Sequence, residues 1–304
     1  MNARKPLLVV VTGPTASGKT TLAIELAENL GCDIVSADSR QIYRDIPIGT
    51  AAPTASEQAR VRHHLVGFLP LDAPYSAAAF EADALRVVGD QLRQHGVAVM
   101  CGGSMMYVDA VVRGIDDMPA ISPEVRERVL SFYRQQGLEA LLAWLEIIDP
   151  DMHRIVDRRN PKRVIHAVEI TLQAGVPVSS LRTGAPKERP FRVLKLCIDH
   201  PRAELFERIN ARVDAMMLAG MLDEALRVYP LRGLNSLNTV GYKELFAHFD
   251  GLMDLPTATA RIAKNTRVYA KKQLTWLARD PDVHRLDAAY ALEQALSLIK
   301  DYLQ

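Results

Sequence analysis

The sequence predicts an α/β protein: a phosphate-loop NTPase-like parallel sheet core that is interrupted by an α-helical insert domain. Over the first hundred residues, apolar runs alternate with helical patterns, which is typical of a parallel sheet flanked by helices. The first apolar run leads directly into a glycine-rich phosphate-binding pattern at residues 13–20. From about 115–184 the pattern is helical and charged. We therefore expect a catalytic core with C-terminal helices from residues 1–114 and 191–304, and an insert from residues 115–190.

Short apolar runs predict the strands of this core in chain order. They lie at residues 7–11, 32–36, 97–101 and 193–198. Each run is short enough for a buried parallel strand. The remainder of the chain after the fourth run is predicted to be helical.

Apolar periodicity predicts the first helices. Leu22, Leu26 and Leu30 recur at helical spacing, and Gly31 follows where a C-cap is expected. A second helix is predicted for residues 80–94, whose apolar side chains lie on one side.

Proline and glycine mark two loops. Residues 49–57 are small and include Pro53, so we expect a loop there. Residues 183–190 contain Gly184, Pro186 and Pro190, and they are expected to form an exposed loop that closes the insert.

Composition limits the class of protein and its partners. Apolar residues make up 48% of the 304 and charged residues 24%, which is ordinary for a soluble globular protein. Because the formal net charge is +1, any nucleic-acid surface must be a local patch. The cysteines at 32, 101 and 197 form no Cys-x-x-Cys pair, which disfavours disulfides and structural zinc and predicts a cytoplasmic location. No run approaches the ~20 apolar residues that a membrane span requires.

Residues 13–20 carry the most specific chemistry in the chain. They match the phosphate-loop pattern G-x-x-x-x-G-K-[ST] with Gly13, Pro14, Thr15, Ala16, Ser17, Gly18, Lys19 and Thr20. Backbone N–H groups of such a loop converge on phosphate oxygens at a helix N-terminus. Lys19 would neutralise the terminal phosphates, and the Thr20 hydroxyl would ligate Mg²⁺. The pattern is shared by ATP-binding and other nucleotide-binding proteins, so it leaves the phosphorylated ligand open.

Asp38 follows the second predicted strand, within Ala-Asp-Ser-Arg-Gln-Ile-Tyr. In open α/β sheets, ligands bind outside the carboxyl ends of the strands, which is where this carboxylate is expected. It is a candidate magnesium ligand or general base, and the alternative is a helix N-cap. We predict no separate Walker-B acid beyond Asp38, and no Asn-Lys-x-Asp is present. Both gaps disfavour GTPases and motor ATPases and leave small kinases and other phosphate-loop transferases.

Two groups of basic residues are candidates for contacts with a phosphate backbone. One comprises Arg154, Arg158, Arg159, Lys162 and Arg163, and the other comprises Arg261, Lys264, Arg267 and Lys271 on one helical face. A solvated face is the equally weighted alternative. Ile262, Tyr269 and Trp276 recur every seven residues on another face, which we interpret as core packing.

Two further motifs are ambiguous from their letters. The adjacent His63 and His64 lack a third ligand nearby, so we interpret them as structural residues or as loop contacts. The two glycines within residues 101–107 permit a close backbone approach to a ligand or a simple turn.

Together these segments resemble the bacterial tRNA dimethylallyltransferases, also known as tRNA delta(2)-isopentenylpyrophosphate transferases. The resemblance extends over most of the chain and includes GPTASGKT at 13–20, ADSRQIY at 37–43, IGTAAP at 48–53, GGSMMY at 102–107, PEVRER at 123–128, NPKRVIHAVEI at 160–170, Gly241-Tyr242 and RVYAKKQLTW at 267–276. Ser104 stands where threonine is usual, and His166 where arginine is usual. We expect a bacterial member, because a C-terminal zinc-finger extension is lacking.

The resemblance implies a reaction and its participants. A dimethylallyl group passes from dimethylallyl diphosphate to N6 of the adenosine immediately 3′ of the anticodon, position 37, in tRNAs that read codons beginning with U. Diphosphate is released, Mg²⁺ is the cofactor, and the enzyme is expected to act as a cytoplasmic monomer. The implied catalytic residues are Asp38, Lys19 and Thr20, with Thr20 on magnesium. The implied contacts with the tRNA anticodon stem-loop are Asp38, Ser39, Arg40, Gln41, Ser104, Arg126, Lys162, Arg163, Val164, Ile165 and His166.

Three other functions compete with this one. An adenylate isopentenyltransferase would act on free AMP, ADP or ATP, but it would need neither the helical insert nor the Lys-Gln-Leu-Thr-Trp helix. A small-molecule kinase would use the loop for ATP. A non-catalytic RNA-binding module is disfavoured by the intact Lys19, Thr20 and Asp38.

Overall fold

The computed structural model describes residues 5–304, which form two compact units. One unit, the core, contains the described residues up to Val112 together with Glu188–Gln304, and the other, the insert, is Arg113–Lys187. No helix within residues 5–304 combines the length and apolarity that crossing a bilayer requires.

The core is built on a six-stranded sheet in which every pair is parallel. Its strands are β1 (Leu7–Thr12), β2 (Ile34–Ser36), β3 (His63–His64), β4 (Val97–Cys101), β5 (Arg192–Asp199) and β6 (Val283–Asp287). They lie in the order β3-β2-β4-β1-β5-β6. The central strand β1 is buried along its whole length, as a strand covered on both faces must be.

Thirteen α-helices are present among the described residues. Those of the core's first segment are α1 (Lys19–Leu30), α2 (Ala55–Arg60), α3 (Ala77–His95) and α4 (Met105–Val112). The insert contains α5 (Pro123–Ile148), α6 (Pro150–Ile155), α7 (Pro161–Ala174) and α8 (Val178–Leu181). The core resumes with α9 (Arg202–Leu218), α10 (Met221–Val228), α11 (Tyr242–Phe249), α12 (Leu255–Leu277) and α13 (Ala291–Leu303).

Alternate side chains of the strands enter two hydrophobic clusters, one on each face of the sheet. Leu7, Val9 and Val11 pack with α1 and α13, whereas Leu8 and Val10 pack with α3 and α4. A third cluster joins helices α9–α12 to the segment after β2. The sheet therefore holds the carboxyl ends of β2, β4 and β1 side by side, below that helical cluster.

The insert has its own hydrophobic core. Val129, Leu141, Leu145, Val164 and Val168 are fully buried there. Its longest helix, α5, is interrupted at Gly137, whose φ of 80° is non-helical.

The predicted phosphate-loop α/β fold is confirmed, together with the strands near residues 7–11, 97–101 and 193–198. The second strand is shorter than predicted and begins at Ile34. Gly31 adopts the left-handed conformation that caps α1, as expected.

Three elements were wrongly predicted. The C-terminal part is not wholly helical, because β6 adds an edge strand in which only Leu286 is buried. The expected loop at 49–57 ends in α2, which has no buried residue and instead depends on a capping box between Thr54 and Glu57. β3 is a two-residue histidine strand at the other edge. None of these three elements has the apolar run or the apolar periodicity from which strands and helices were predicted.

Candidate active site

A cavity of about 380 Å³ lies in the core at the carboxyl ends of β1, β2 and β4. Its walls come from the phosphate loop, the segments after β2 and β4, and helices α9, α10 and α12. Lys19, Thr20 and Asp38, the three predicted catalytic residues, all line it. Parallel strands place their carboxyl ends at one edge of the sheet, so residues distant in sequence meet there.

The phosphate loop leaves β1 and enters α1 through three residues with positive φ. These are Gly13 (146°), Ala16 (65°) and Gly18 (89°), the last of which is the N-cap of α1. The loop is buried on its inner side, and the Ser17 hydroxyl has no hydrogen-bond partner among the described residues. This conformation turns the loop's backbone around the N-terminus of α1, as anion binding requires.

Lys19 is the first residue of α1, and its ammonium group donates a hydrogen bond to the Pro14 carbonyl at 3.1 Å. Burial lowers the pKa of Lys19, and the nearby Arg212 guanidinium lowers it further. An anion bound against the loop would reverse both effects, because it would stabilise the ammonium form.

Arg212 is a second cation of the cavity, and sequence reasoning missed it. It lies on α9 and lines the cavity, and it forms no salt bridge within residues 5–304. Burial lowers its pKa, and Asp38 opposes that effect. The local sequence does not indicate that Arg212 lines a cavity, because α9 carries other basic residues that are exposed.

Asp38 lines the cavity, and its side chain stabilises a turn; the alternative of a helix N-cap is wrong, because no helix begins between β2 and α2. Its Oδ1 accepts hydrogen bonds from the backbone N–H groups of Arg40 at 2.8 Å and Gln41 at 3.3 Å. Oδ2 accepts none from the described residues. The turn therefore fixes the carboxylate and leaves one oxygen available to a ligand.

The polar residues after Asp38 are anchored to their surroundings. Gln41 donates to the Ala51 carbonyl at 2.8 Å, and Arg40 donates to the carbonyls of Asn235 and Ser236, each at 3.0 Å. The loop that carries Ala51 is in turn held by Glu224, whose buried carboxylate accepts from the Ile48 and Gly49 N–H groups and from the Tyr242 hydroxyl.

Ser104 is buried, and its hydroxyl is already bonded. Its Oγ accepts from the Ser39 N–H at 2.8 Å and donates to the Ser39 Oγ at 3.2 Å. This pair joins the segment after β2 to the segment after β4. The predicted contact of Ser104 with tRNA stays a prediction.

The two glycines after β4 permit a close approach of backbone to backbone. A Cβ atom on Gly102 would lie 2.2 Å from the Ala37 carbonyl oxygen, and one on Gly103 would lie 2.4 Å from the Gln273 side-chain nitrogen. Gln273 is buried on α12, where its Oε1 accepts from the Thr15 N–H and its Nε2 donates to the Gly103 carbonyl, both at 2.9 Å.

On α12, the predicted heptad of core residues is wrong at one position. Ile262 is buried, whereas Tyr269 is 39% exposed and lines the cavity. Burial raises the pKa of Tyr269 to about 12, so its hydroxyl stays protonated near neutral pH. Trp276 is half-buried and donates to Asp109 at 3.3 Å.

The histidine pair is structural, as interpreted. His64 bonds Asp33 at 2.8 Å, and His63 bonds the Val61 carbonyl at 2.9 Å. Within residues 5–304, no group of three or more histidine, cysteine or acidic residues is placed to hold a metal ion.

Within the insert, the predicted tRNA contacts divide by exposure. Lys162, Arg163 and His166 are exposed on α7, as is Arg126 on α5, which pairs with Glu169 at 3.5 Å. Val164 is fully buried in the insert's core, so its side chain is removed from any partner surface. Ile165 is half-buried against the same core.

Comparison with known proteins gives a consistent result. The family model for IPP transferases matches residues 41–280. The tRNA dimethylallyltransferase 1 of Bacteroides thetaiotaomicron is 52% identical over 278 residues, which cover 91% of this chain and 90% of that protein. The tRNA dimethylallyltransferase 2 of Parabacteroides distasonis is 52% identical over 276 residues, 91% of this chain and 92% of its own.

Solved structures agree with these relatives. The full-length tRNA isopentenylpyrophosphate transferase of Bacillus halodurans superposes with a TM-score of 0.72 at 31% identity, covering 98% of this chain and 97% of that one. A eukaryotic dimethylallyltransferase, described as acting on tRNA, reaches a TM-score of 0.85 at 24% identity, covering 98% and 79%, and so supports the fold. The family model and these identities lead to one conclusion: the chain belongs to the IPP transferase family.

Proposed function

We propose that this protein is a tRNA dimethylallyltransferase. It transfers the dimethylallyl group of dimethylallyl diphosphate to N6 of adenosine 37, next to the anticodon, in tRNAs that read codons beginning with U. The observation that carries this proposal is that a phosphate loop and the carboxylate of Asp38 line one cavity. The tRNA dimethylallyltransferases that are about half identical to this chain support the same activity.

The donor's diphosphate occupies the phosphate loop. Lys19 and Arg212 supply two positive charges there, and the N-terminus of α1 adds its dipole. Both cations are partly desolvated, so their attraction to an anion is stronger than it would be in water.

The residues of this site fit the coordination that Mg²⁺ usually has in proteins. Thr20 lines the cavity together with Lys19, and Asp38 lines the same cavity. Magnesium is commonly held by one or two protein oxygens together with substrate phosphates and water rather than by an all-protein cage. When bound, the ion supplies Lewis-acid stabilisation of the leaving diphosphate.

The transfer breaks the C1–O bond of the donor and forms a C1–N6 bond to adenine. The electron pair of the C1–O bond leaves with the diphosphate, where Lys19 and Arg212 stabilise it. Adenine N6 is a weak nucleophile because its lone pair is delocalised into the ring. Asp38 accepts the N6 proton as the new bond forms, a contribution of typically ~10²–10⁴ in rate.

The acceptor base reaches Asp38 by leaving its stack in the anticodon loop. Enzymes that act on a base inside a folded nucleic acid extrude it into a pocket and read its edge there. Ser39, Arg40 and Gln41 follow Asp38 in the chain, line the same cavity and contact the extruded base there. In the insert, the exposed Arg126, Lys162, Arg163 and His166 hold the tRNA backbone.

The test is transfer of label from dimethylallyl diphosphate, with Mg²⁺, to an anticodon stem-loop carrying adenosine 37. AMP and ATP serve as competing acceptors. Asp38→Asn keeps an oxygen for the Arg40 and Gln41 N–H groups while removing the base, so we expect a loss of about 10²-fold or more. Asp45→Asn, at an exposed acid, is the matched control.

The outcomes separate the competing functions. Label on the stem-loop that is lost in Asp38→Asn supports the proposal. Label on AMP or ATP alone would identify an adenylate isopentenyltransferase. Phosphoryl transfer from ATP without prenyl transfer would identify a kinase.

A further inference from the structure

The cavity that contains the phosphate loop is also lined by apolar side chains, which form an apolar wall. Val213, Met221 and Ile262 line this wall and belong to one hydrophobic cluster, and Met216 and Val240 line it and pack against the same cluster. The cavity volume of about 380 Å³ lies near the lower end of the ~300–1,000 Å³ usual for ligand pockets. The space available to a donor in this cavity is therefore limited in part by packed apolar side chains.

Within this wall, Met221 is a buried residue that packs against a glycine. It is the first residue of α10, only 1% exposed, and its terminal methyl group rests against Gly241. A Cβ atom on Gly241 would lie 2.3 Å from the Met221 Cε, and Gly241 has a φ of 102° that other residues rarely adopt. Gly241 thus provides the space into which the Met221 side chain extends.

Hydrogen bonds also hold Gly241, against which Met221 packs. Gly241 donates its N–H to the Glu244 carboxylate at 2.7 Å, and Glu244 accepts a hydrogen bond from Asn265 on α12. A flexible methionine side chain would otherwise adapt to a larger ligand. Because its tip packs against Gly241, Met221 has less freedom to adapt in this way.

We propose that Met221, seated against Gly241, determines the length of the prenyl group that the enzyme accepts. This inference rests on the proposed prenyl transfer and names its donor specificity. The native cavity admits a five-carbon allylic diphosphate, and the Met221 side chain excludes the second isoprene unit of a ten-carbon donor. Met216, on the neighbouring helix, contributes to the same limit.

The chemistry of a longer donor would be unchanged. In geranyl diphosphate, the C1–O bond breaks, its electron pair leaves with the diphosphate, and C1 bonds to adenine N6. The N6 proton passes to Asp38. Only the fit of carbons beyond the fifth differs between the two donors, so their relative rates report on the wall alone.

The experiment compares dimethylallyl and geranyl diphosphate as donors to the anticodon stem-loop. Met221→Ala should raise the ratio of kcat/KM for geranyl over dimethylallyl diphosphate by about tenfold or more, the discrimination that a few methylene groups achieve in an apolar pocket. Met216→Ala, a half-buried position whose loss disturbs the core less, should raise it in the same direction. Met221→Leu preserves volume and should leave the ratio within about twofold.

Met217→Ala is the matched control, because Met217 packs against the same cluster without lining the cavity. An unchanged ratio in both Met221→Ala and Met216→Ala, in proteins that remain folded, would overturn the inference whatever the rate of dimethylallyl transfer. An equal rise in Met217→Ala would also overturn it, since general loosening would then explain the effect. Failure of the unmodified protein to transfer dimethylallyl at all would instead overturn the proposed function.

Discussion

The Gln273 side chain accepts a hydrogen bond at 2.9 Å from the backbone N–H of Thr15, in the phosphate loop 258 residues earlier. The same amide donates to the Gly103 carbonyl. One buried residue of α12 thus fixes the loop that would hold the diphosphate against the segment that follows β4. Gln273 lies within the late Lys-Gln-Leu-Thr-Trp motif, so a C-terminal helix sets the geometry of an N-terminal loop.

Gln273→Glu should slow prenyl transfer while leaving the protein folded. A glutamate keeps the acceptor for Thr15 but loses the donor to Gly103 and places a negative charge near the diphosphate. We expect kcat/KM to fall by about 10²-fold, as small displacements of reacting groups commonly cause. Single-turnover transfer measures the change. Gln294→Glu, at a half-buried amide bonded to the Asp287 N–H, should leave the rate unaltered.

Arg212→Gln should weaken diphosphate binding and slow transfer. The substitution removes a cavity cation that has no salt bridge among the described residues, so no buried acid loses a partner. Removing one group that stabilises developing charge typically costs ~10²–10³ in rate. Competition by inorganic diphosphate measures binding separately from chemistry. Lys264→Gln, an exposed basic residue of α12, is the control, and a similar loss there would contradict a specific role for Arg212.

Gly102→Ala should destabilise the fold. The new methyl group would lie 2.2 Å from the Ala37 carbonyl oxygen, a backbone atom that cannot move aside as a flexible side chain could. Overpacking of this kind costs about 1–3 kcal/mol in the free energy of unfolding. Urea denaturation measures it. Gly233→Ala, where no atom lies within 4 Å of the added Cβ, should change the free energy of unfolding by less than about 0.5 kcal/mol.

Asp149 should make the stability of the insert depend on acid. Burial of this carboxylate opposes its ionisation, but hydrogen bonds from the Ser179 hydroxyl, the Ser179 N–H and the Met152 N–H outweigh that effect and lower its pKa. The folded state therefore holds the proton less tightly than the unfolded state. The stabilisation is complete well above pH 3.8 and is lost as the pH falls through the lower folded-state pKa.

Asp149→Asn tests this dependence. We expect it to lower the free energy of unfolding by about 1–3 kcal/mol at neutral pH. Its difference from the unmodified protein should shrink as the pH is lowered below 3.8. A difference that stays constant across that range would show that ionisation of Asp149 does not matter.

The basic residues of the insert should make binding of the stem-loop depend on salt. Replacing Lys162 and Arg163 by alanine removes two exposed cations from α7. If both contact phosphates, the affinity falls and the slope of log K against log salt decreases by about 2, one per contact. Fluorescence anisotropy between about 50 and 200 mM salt measures both. Arg86→Ala on α3 of the core should leave the slope unchanged.

The features that could be predicted from the sequence are those that local patterns encode. The central strands followed from apolar runs because buried strands need them, and α1 followed from its leucine spacing and the Gly31 cap. Lys19, Thr20 and Asp38 could be predicted to line the site because phosphate loops and acids at strand ends are short, contiguous sequence motifs. The edge strands and the exposed α2 were missed, since neither buries enough apolar surface to mark its residues.

Long-range packing brings together the distant residues that meet in the cavity, and local patterns do not predict it. Arg212, Tyr269 and Gln273 lie on helices whose sequence pattern does not distinguish a cavity wall from the core or the surface. The packing of α9–α12 above the sheet brought them to the phosphate loop, and it seated Met221 against Gly241. These relationships depend on the packing of complementary shapes between distant segments. The free energy of that packing comes from contacts between residues far apart in the sequence, so no local window of the sequence contains both partners.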